Sequence, residues 1–408
     1  MTPALRRLFL GTLVGFLGMG MQFSLFVLYC HDIRGFTDII AGWMLVLEAF
    51  LGIALSPLYG TLVDRFGPSP VLAVAMPVSA VGVIAIGFTT TVPLMFVVVS
   101  VFSVGGAGMW SAFSVLITRI VREEHRQDAF GINFMLMNVG IGIGSLVGTQ
   151  IANLHDAGSF QLLYTMSGAL MLVYAAIMFT LRRHGGRLET PVHEDLAEEG
   201  WVEVLKDRRM VRLVLSSLVV MVCGYGSIEA GMPLFVTQVA KLSIHYVGLL
   251  FFFNTFTIIV AQLFVLSGIR GRSRSLLMGL VGLLWGASWL LATSSLLVGA
   301  IGTVAILCLG QIVFAIGETI WQPVSPALVN DLSPEHLRGR YNAFIGIVWA
   351  GSGAIGQLGA TVFIQYGEGR LWTLCLAGGA ILGGLGLTTM RKVLTPLEDG
   401  LVLPEPAL

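Results

Sequence analysis

Charge placement constrains this chain more than any other feature. Long, mostly apolar runs follow one another from end to end, and Lys and Arg are confined to the gaps between them. A bilayer's hydrocarbon core is about 30 Å thick, and roughly 20 helical residues cross it. Within lipid, only helices and closed barrels satisfy every backbone donor and acceptor. Strands of a membrane barrel alternate apolar and polar residues, and these runs do not. The sequence therefore specifies an all-α, polytopic membrane protein.

Composition supports that reading and excludes others. Only 11% of the 408 residues are charged, against about 25% in soluble domains, and the mean hydropathy is +0.87. The 23 basic and 23 acidic residues balance, so no nucleic-acid partner is expected. Cys30, Cys223, Cys308 and Cys375 are scattered without metal-ligand spacing and read as packing residues. No phosphate-cradling loop, zinc spacing or nucleophile–base pair is present, so no cofactor, no metal and no enzymatic chemistry are expected. The run after Arg7 is too long for the apolar part of a secretion signal and reads as the first span.

Breaks at Gly, Pro or charge place spans near 7–29, 38–60, 70–89, 92–119, 128–153 and 160–181. A second set falls near 211–236, 245–267, 274–292, 296–328, 338–364 and 371–390, which makes twelve. With both termini in the cytoplasm, only Arg34, Lys241 and Arg370 of the 23 basic residues fall outside, as the positive-inside rule requires. The expected organisation is a six-helix bundle at 1–181, a cytoplasmic linker at 182–210 and a second six-helix bundle at 211–408. Leu196, Trp201, Val204 and Leu205 give the linker the spacing of an amphipathic surface helix. The halves also echo each other. Glu124-His125 recurs as Glu335-His336, and the same offset carries Gly140, Gly142 and Gly148 onto Gly351, Gly353 and Gly359. Parallel repeats of this kind place a substrate site between the halves near the midplane.

After the second span the chain reads Gly60-Thr-Leu-Val-Asp64-Arg65-Phe-Gly67-Pro-Ser-Pro. This resembles the loop signature of the major facilitator superfamily, with Ser69 and Pro70 where two basic residues are usual. The resemblance implies a gating role for Gly60, Asp64, Arg65 and Gly67, and the twelve-span fold of that superfamily. In the fifth span, Gly131, Gly140, Gly144-Ser145 and Gly148 are similar to the signature of drug:proton antiporters, with Ser145 and Thr149 in place of its Pro and final Gly. Small residues on one stripe also simply permit close helix packing. Phe102 stands where many relatives carry an Arg.

Two further segments resemble the twelve-span multidrug branch: Glu229-Ala-Gly-Met-Pro233, and Gly317-Glu318-Thr-Ile-Trp321-Gln322-Pro323. Acids at these positions are implicated there in proton or substrate binding. A further acid of some relatives matches Asn133, which cannot titrate.

A charge at mid-bilayer costs at least ~2.5–3.5 kcal/mol, which makes an intramembrane acid a functional candidate. Glu48 lies ~15 Å inside its span, and Glu318 lies ~20 Å from Asp331 at the span's end. Glu229 falls in the outer half of the seventh span. Each has the plainer alternative of a neutral carboxyl bonded to a neighbouring helix. Trp321, Gln322, Asn133, Asn138 and Asn254 either line a cavity or join helices.

The expected function is proton-coupled export of amphipathic or cationic small molecules by alternating access. The alternatives are a transporter of one specific solute (a sugar, siderophore or lipid) and a transport-inactive membrane sensor. Expected partners are a small-molecule substrate, protons and the bilayer, with the protein a monomer in a bacterial inner membrane.

Overall fold

The computed structural model describes residues 2–122, 126–183, 204–334 and 338–401. These residues are almost wholly helical, and no strand occurs among them. Among the described residues, eleven helices are long and apolar enough to cross a membrane. The fourth span falls short of that length because it is split into Val92–Gly106 and Met109–Ile120. The cause is local. At Gly108 a Cβ would stand 1.9 Å from the Tyr59 ring, and the Tyr59 hydroxyl donates to the Val104 carbonyl freed at the break. The tenth run, placed at 296–328, is the helix Ala300–Leu332, and the eleventh runs Arg338–Gln365. The amphipathic helix expected within 182–210 falls mostly outside the described residues; only 204–206 form a helical turn there.

Helix starts carry side-chain caps that satisfy orphan backbone donors. Thr37 accepts from Ile40 N–H at 3.3 Å, Asp156 from Gly158 at 2.9 Å and Asp207 from Arg209 at 2.9 Å. Pro68 opens the third span, where its missing N–H costs nothing.

Two compact units emerge from the packing. The first comprises Met1–His193 with Glu229–Thr255, and the second Glu194–Ile228 with Phe256–Leu408. In the first, the opening span packs on the fifth and sixth, and the third packs on the fourth and sixth. The contact with the fifth span is nearly backbone to backbone. A Cβ on Gly140, Gly144 or Gly148 would lie 2.9, 2.3 or 2.2 Å from carbonyl oxygens of the first span. A Cβ on Gly20 would in return lie 2.5 Å from the Ile141 carbonyl oxygen.

The second unit repeats this seam. A Cβ on Gly226 of the seventh span would lie 2.0 Å from the Ser352 carbonyl oxygen, and one on Gly356 of the eleventh 2.4 Å from the Gly226 carbonyl. Ile141 and Ser352 are related by the same offset that relates the Glu-His pairs. The first and seventh spans each end in a five-residue π-helical segment, Tyr29–Ile33 and Phe235–Val239. The seventh span is also interrupted at Gly224. There a Cβ would lie 2.1 Å from the Trp285 ring, and the Trp289 indole N–H takes up the Cys223 carbonyl left over by the break.

Candidate functional site

Glu318 sits in the tenth span, 6% exposed, on a turn walled by aromatic rings. Helical spacing puts Phe314 one turn before it, and Trp321 and Gln322 one turn after. Trp285 of the ninth span stacks on Phe314 with ring centres 5.0 Å apart and planes 12° from parallel. Its indole N–H donates to the Phe314 carbonyl at 3.1 Å, and its ring lies 5.8 Å from that of Trp321. Gly317 makes this possible: a Cβ there would come within 2.6 Å of the indole nitrogen.

Tyr225, which opens the helix that resumes after the break at Gly224, meets Trp285 edge-on at 5.6 Å and Trp349 of the eleventh span at 4.8 Å. The Gln322 amide reaches its hydroxyl at 3.5 Å. Four spans thus supply five rings to one cluster, two of them from the helix turns on either side of Glu318. Gln311, two turns before Glu318, is 1% exposed, and its amide finds no partner among the described residues. An orphaned buried amide is costly and marks a place where a polar guest would be stabilised. The cleft beside Trp321 and Trp349 measures about 20 Å³, room for one water. Ligand pockets usually run to roughly 300–1,000 Å³. That cleft is therefore too small to enclose a ligand.

The other acids lie elsewhere. Glu229 is half-buried in the helix Tyr225–Leu234 and belongs to the first unit. Glu48 is half-buried in the second span, also in the first unit. Asn133 accepts a hydrogen bond from Thr12 of the first span at 2.8 Å, and Asn138 donates to the Phe134 carbonyl of its own helix at 2.9 Å. Asn254 is buried in the eighth span.

At the corner between the second and third spans, Gly67 adopts φ +88°, a conformation that favours glycine. Asp64 lies in the last turn of the second helix, and Arg65 is exposed with its guanidinium 5.3 Å from the Phe66 ring centre. A Cβ at Gly60 or at Gly131 would meet nothing within 4 Å. Close packing thus explains three glycines of the fifth-span stripe and not the fourth.

The sequence pattern of the Major Facilitator Superfamily matches residues 8–357. The chain belongs to the major facilitator superfamily. Multidrug resistance protein MdtH of Salmonella typhimurium is 25% identical over 363 residues, spanning 86% of this chain and 84% of the relative. MdtH of Salmonella arizonae is 26% identical over the same shares. Among solved structures, the peptide transporter POT in complex with sulfate superposes with a TM-score of 0.80 at 16% identity, covering 98% of this chain and 95% of that one. The nucleoside transporter NupG gives 0.75 at 15%, covering 95% and 99%. At those identities the structural likeness is one of fold. The superfamily and the relatives make this protein a multi-pass membrane transporter rather than an enzyme.

Sequence reasoning about this superfamily member missed two groups of residues. Tyr225 and Phe314 complete the ring cluster, yet neither carries a motif; only the glycines beside them, Gly224 and Gly317, signal that something bulky lies close. The second group lies beyond the last span. Asp399 is 2% exposed and accepts from the Ser275 N–H at 2.8 Å and the Ser273 hydroxyl at 2.5 Å, capping the start of the ninth span. No periodicity in the terminal segment announces that contact.

Proposed function

We propose that this transporter exports amphipathic or cationic compounds in exchange for protons, by alternating access of a central site. The observation that carries this reading is Glu318, buried mid-span on a turn whose neighbours are Trp285, Phe314, Trp321 and Tyr225. Burial disfavours a carboxylate and favours its neutral form, so such a group exchanges protons with whichever side it faces. Aromatic faces beside it attract an organic cation. Substrate and proton then compete for one carboxyl, which couples their movements in opposite directions. For an uncharged substrate one proton crossing 100 mV supplies about 2.3 kcal/mol, enough for roughly a 50-fold gradient; for a monovalent cation the one-for-one exchange is electroneutral and the pH difference alone drives it.

In this reading Glu229 is a second charge partner for cationic substrates, and Glu48 a further acid of the pathway. Gly60, Asp64, Arg65 and Gly67 bias the gating equilibrium. The transporting unit is a monomer of two six-helix bundles, with both termini in the cytoplasm.

Glu318→Gln keeps shape and hydrogen bonding but cannot titrate. In proteoliposomes with an imposed pH gradient it should abolish uphill export of a cationic dye while downhill movement persists within about tenfold. Glu229→Gln should weaken cationic substrates more than neutral ones. Uphill transport by Glu318→Gln with a wild-type dependence on the pH gradient would overturn the proposal.

A further inference from the structure

A second cavity, of about 640 Å³, lies at the corner where the eighth span turns into the ninth. Its walls are the turn 269–274, the last turns of the tenth span and the segment beyond the twelfth. Three arginines line it: Arg270, Arg272 and Arg274. Two acids do as well, Asp331 and Glu398, so the balance depends on which charges are already paired.

The pairing is uneven. Arg274 is held by the Asp331 carboxylate and by the Glu398 carbonyl, the latter at 3.0 Å. The Glu398 carboxylate is taken by Arg209 at 3.0 Å and by the Thr395 N–H at 2.7 Å. Asp399, next in the chain, is spent on the ninth helix start. The guanidinium groups of Arg270 and Arg272 are exposed, and neither has a hydrogen bond or ion pair with another described residue. Gly271 between them has φ +68°, which folds the turn so that both border the same cavity. The walls therefore carry two uncommitted positive charges.

We propose that this cavity is an anion site for a phosphate group, gripped by Arg270 and Arg272. Each guanidinium offers a planar fork of donors that matches phosphate oxygens two at a time. The volume is in the range of small-molecule sites, so the phosphate can bring further atoms with it. The Lys/Arg asymmetry puts this corner on the cytoplasmic side, where lipid phosphates and soluble phosphate esters are both at hand. The corner between the second and third spans lacks such a pair: Phe66 and Pro68 flank its left-handed glycine, and Arg65 is its one basic residue. The site is independent of the coupling assigned to Glu318.

The test uses the full-length protein in detergent, with thermal unfolding and native mass spectrometry as readouts. One arm adds phosphatidylglycerol, with phosphatidylcholine of the same chain length as control; the other adds inorganic pyrophosphate. Arg270→Gln/Arg272→Gln is compared with Arg391→Gln/Lys392→Gln, which removes two exposed charges that do not line the cavity. The expected result is saturable binding of one anion by the wild type and by the control, weakened at least tenfold in the cavity variant. That variant's unliganded melting temperature should match the wild type. Stabilisation by phosphatidylglycerol alone identifies a lipid headgroup as the occupant; stabilisation by pyrophosphate identifies a soluble phosphate. Equal binding by both double variants, or binding of neither anion by the wild type, would overturn the site.

Discussion

The two units cross their helices in the same way and close their corners differently. In both, a glycine of the first or seventh span lies against a carbonyl of the fifth or eleventh: Gly20 on Ile141, Gly226 on Ser352. In both, the corner into the next span contains a left-handed glycine, Gly67 or Gly271. Past that glycine the two corners diverge. In the first unit Pro68 opens the third helix, and the buried Ser69 hydroxyl donates to the Met178 carbonyl at the end of the sixth span. In the second unit Ser273 caps the ninth helix, and Asp399 reaches in from the far end of the chain to bind Ser273 and Ser275. A helix start leaves several N–H groups unsatisfied wherever it occurs. One unit removes a donor with proline and packs the rest; the other brings in a buried acid.

The comparison breaks most readily at the shared seam. Gly144→Ala and Gly356→Ala each put a methyl within 2.4 Å of backbone, so each should cost about 1–3 kcal/mol or more in thermal unfolding. Gly131→Ala and Gly359→Ala, which meet open space, should be neutral or slightly stabilising. Equal effects across all four would mean that the seam is not what holds these spans together.

The corners should then separate. Asp399→Ala leaves a buried N–H and a buried hydroxyl without their acceptor and should cost about 2 kcal/mol. Ser69→Ala leaves one carbonyl short of a donor and should cost about 1 kcal/mol. A first-unit loss as large as the second would mean that the two corners are held equally tightly. Arg274→Gln should have the smallest effect, below about 1 kcal/mol, because its Asp331 partner is 45% exposed and solvent screens the pair. Raising salt from about 0.1 to about 1 M should erase that difference and leave the Asp399→Ala deficit nearly intact, since buried contacts are screened far less.

Asp64 tests whether the first corner acts on transport at all. Asp64→Asn should slow transport and shift the balance of conformations, measured by accessibility of single cysteines on either side. Ligand affinity in a trapped conformation should change less than about twofold, since uniform binding is not what a gating residue supplies. A loss of affinity matching the loss of transport would instead make Asp64 part of the binding site.

Helical class, span order and the superfamily were legible in the residues because each rests on local sums. An apolar run of sufficient length has one solution in lipid, and 60–67 carry a recognisable pattern in eight positions. The break in the fourth span was not legible, since it depends on Tyr59 of another helix crossing at Gly108. Part of the candidate site was readable too. Glu318, Trp321 and Gln322 share a motif, but the rings that face them come from three other spans.

The sequence by itself determined that this chain spans a membrane with helices, roughly where each begins, and which acids lie within lipid. Hydrophobic length and charge position are properties of a segment, and they act wherever the segment goes. Only the tertiary structure decided which glycine of a stripe touches a neighbour, as Gly140, Gly144 and Gly148 do and Gly131 does not. It also decided that Tyr225 meets Trp285, and that Asp399 caps a helix that starts 126 residues earlier, at Ser273. Those contacts depend on the rotation of each helix about its axis and on chain ends meeting in space. Neither quantity is written in any local stretch of residues.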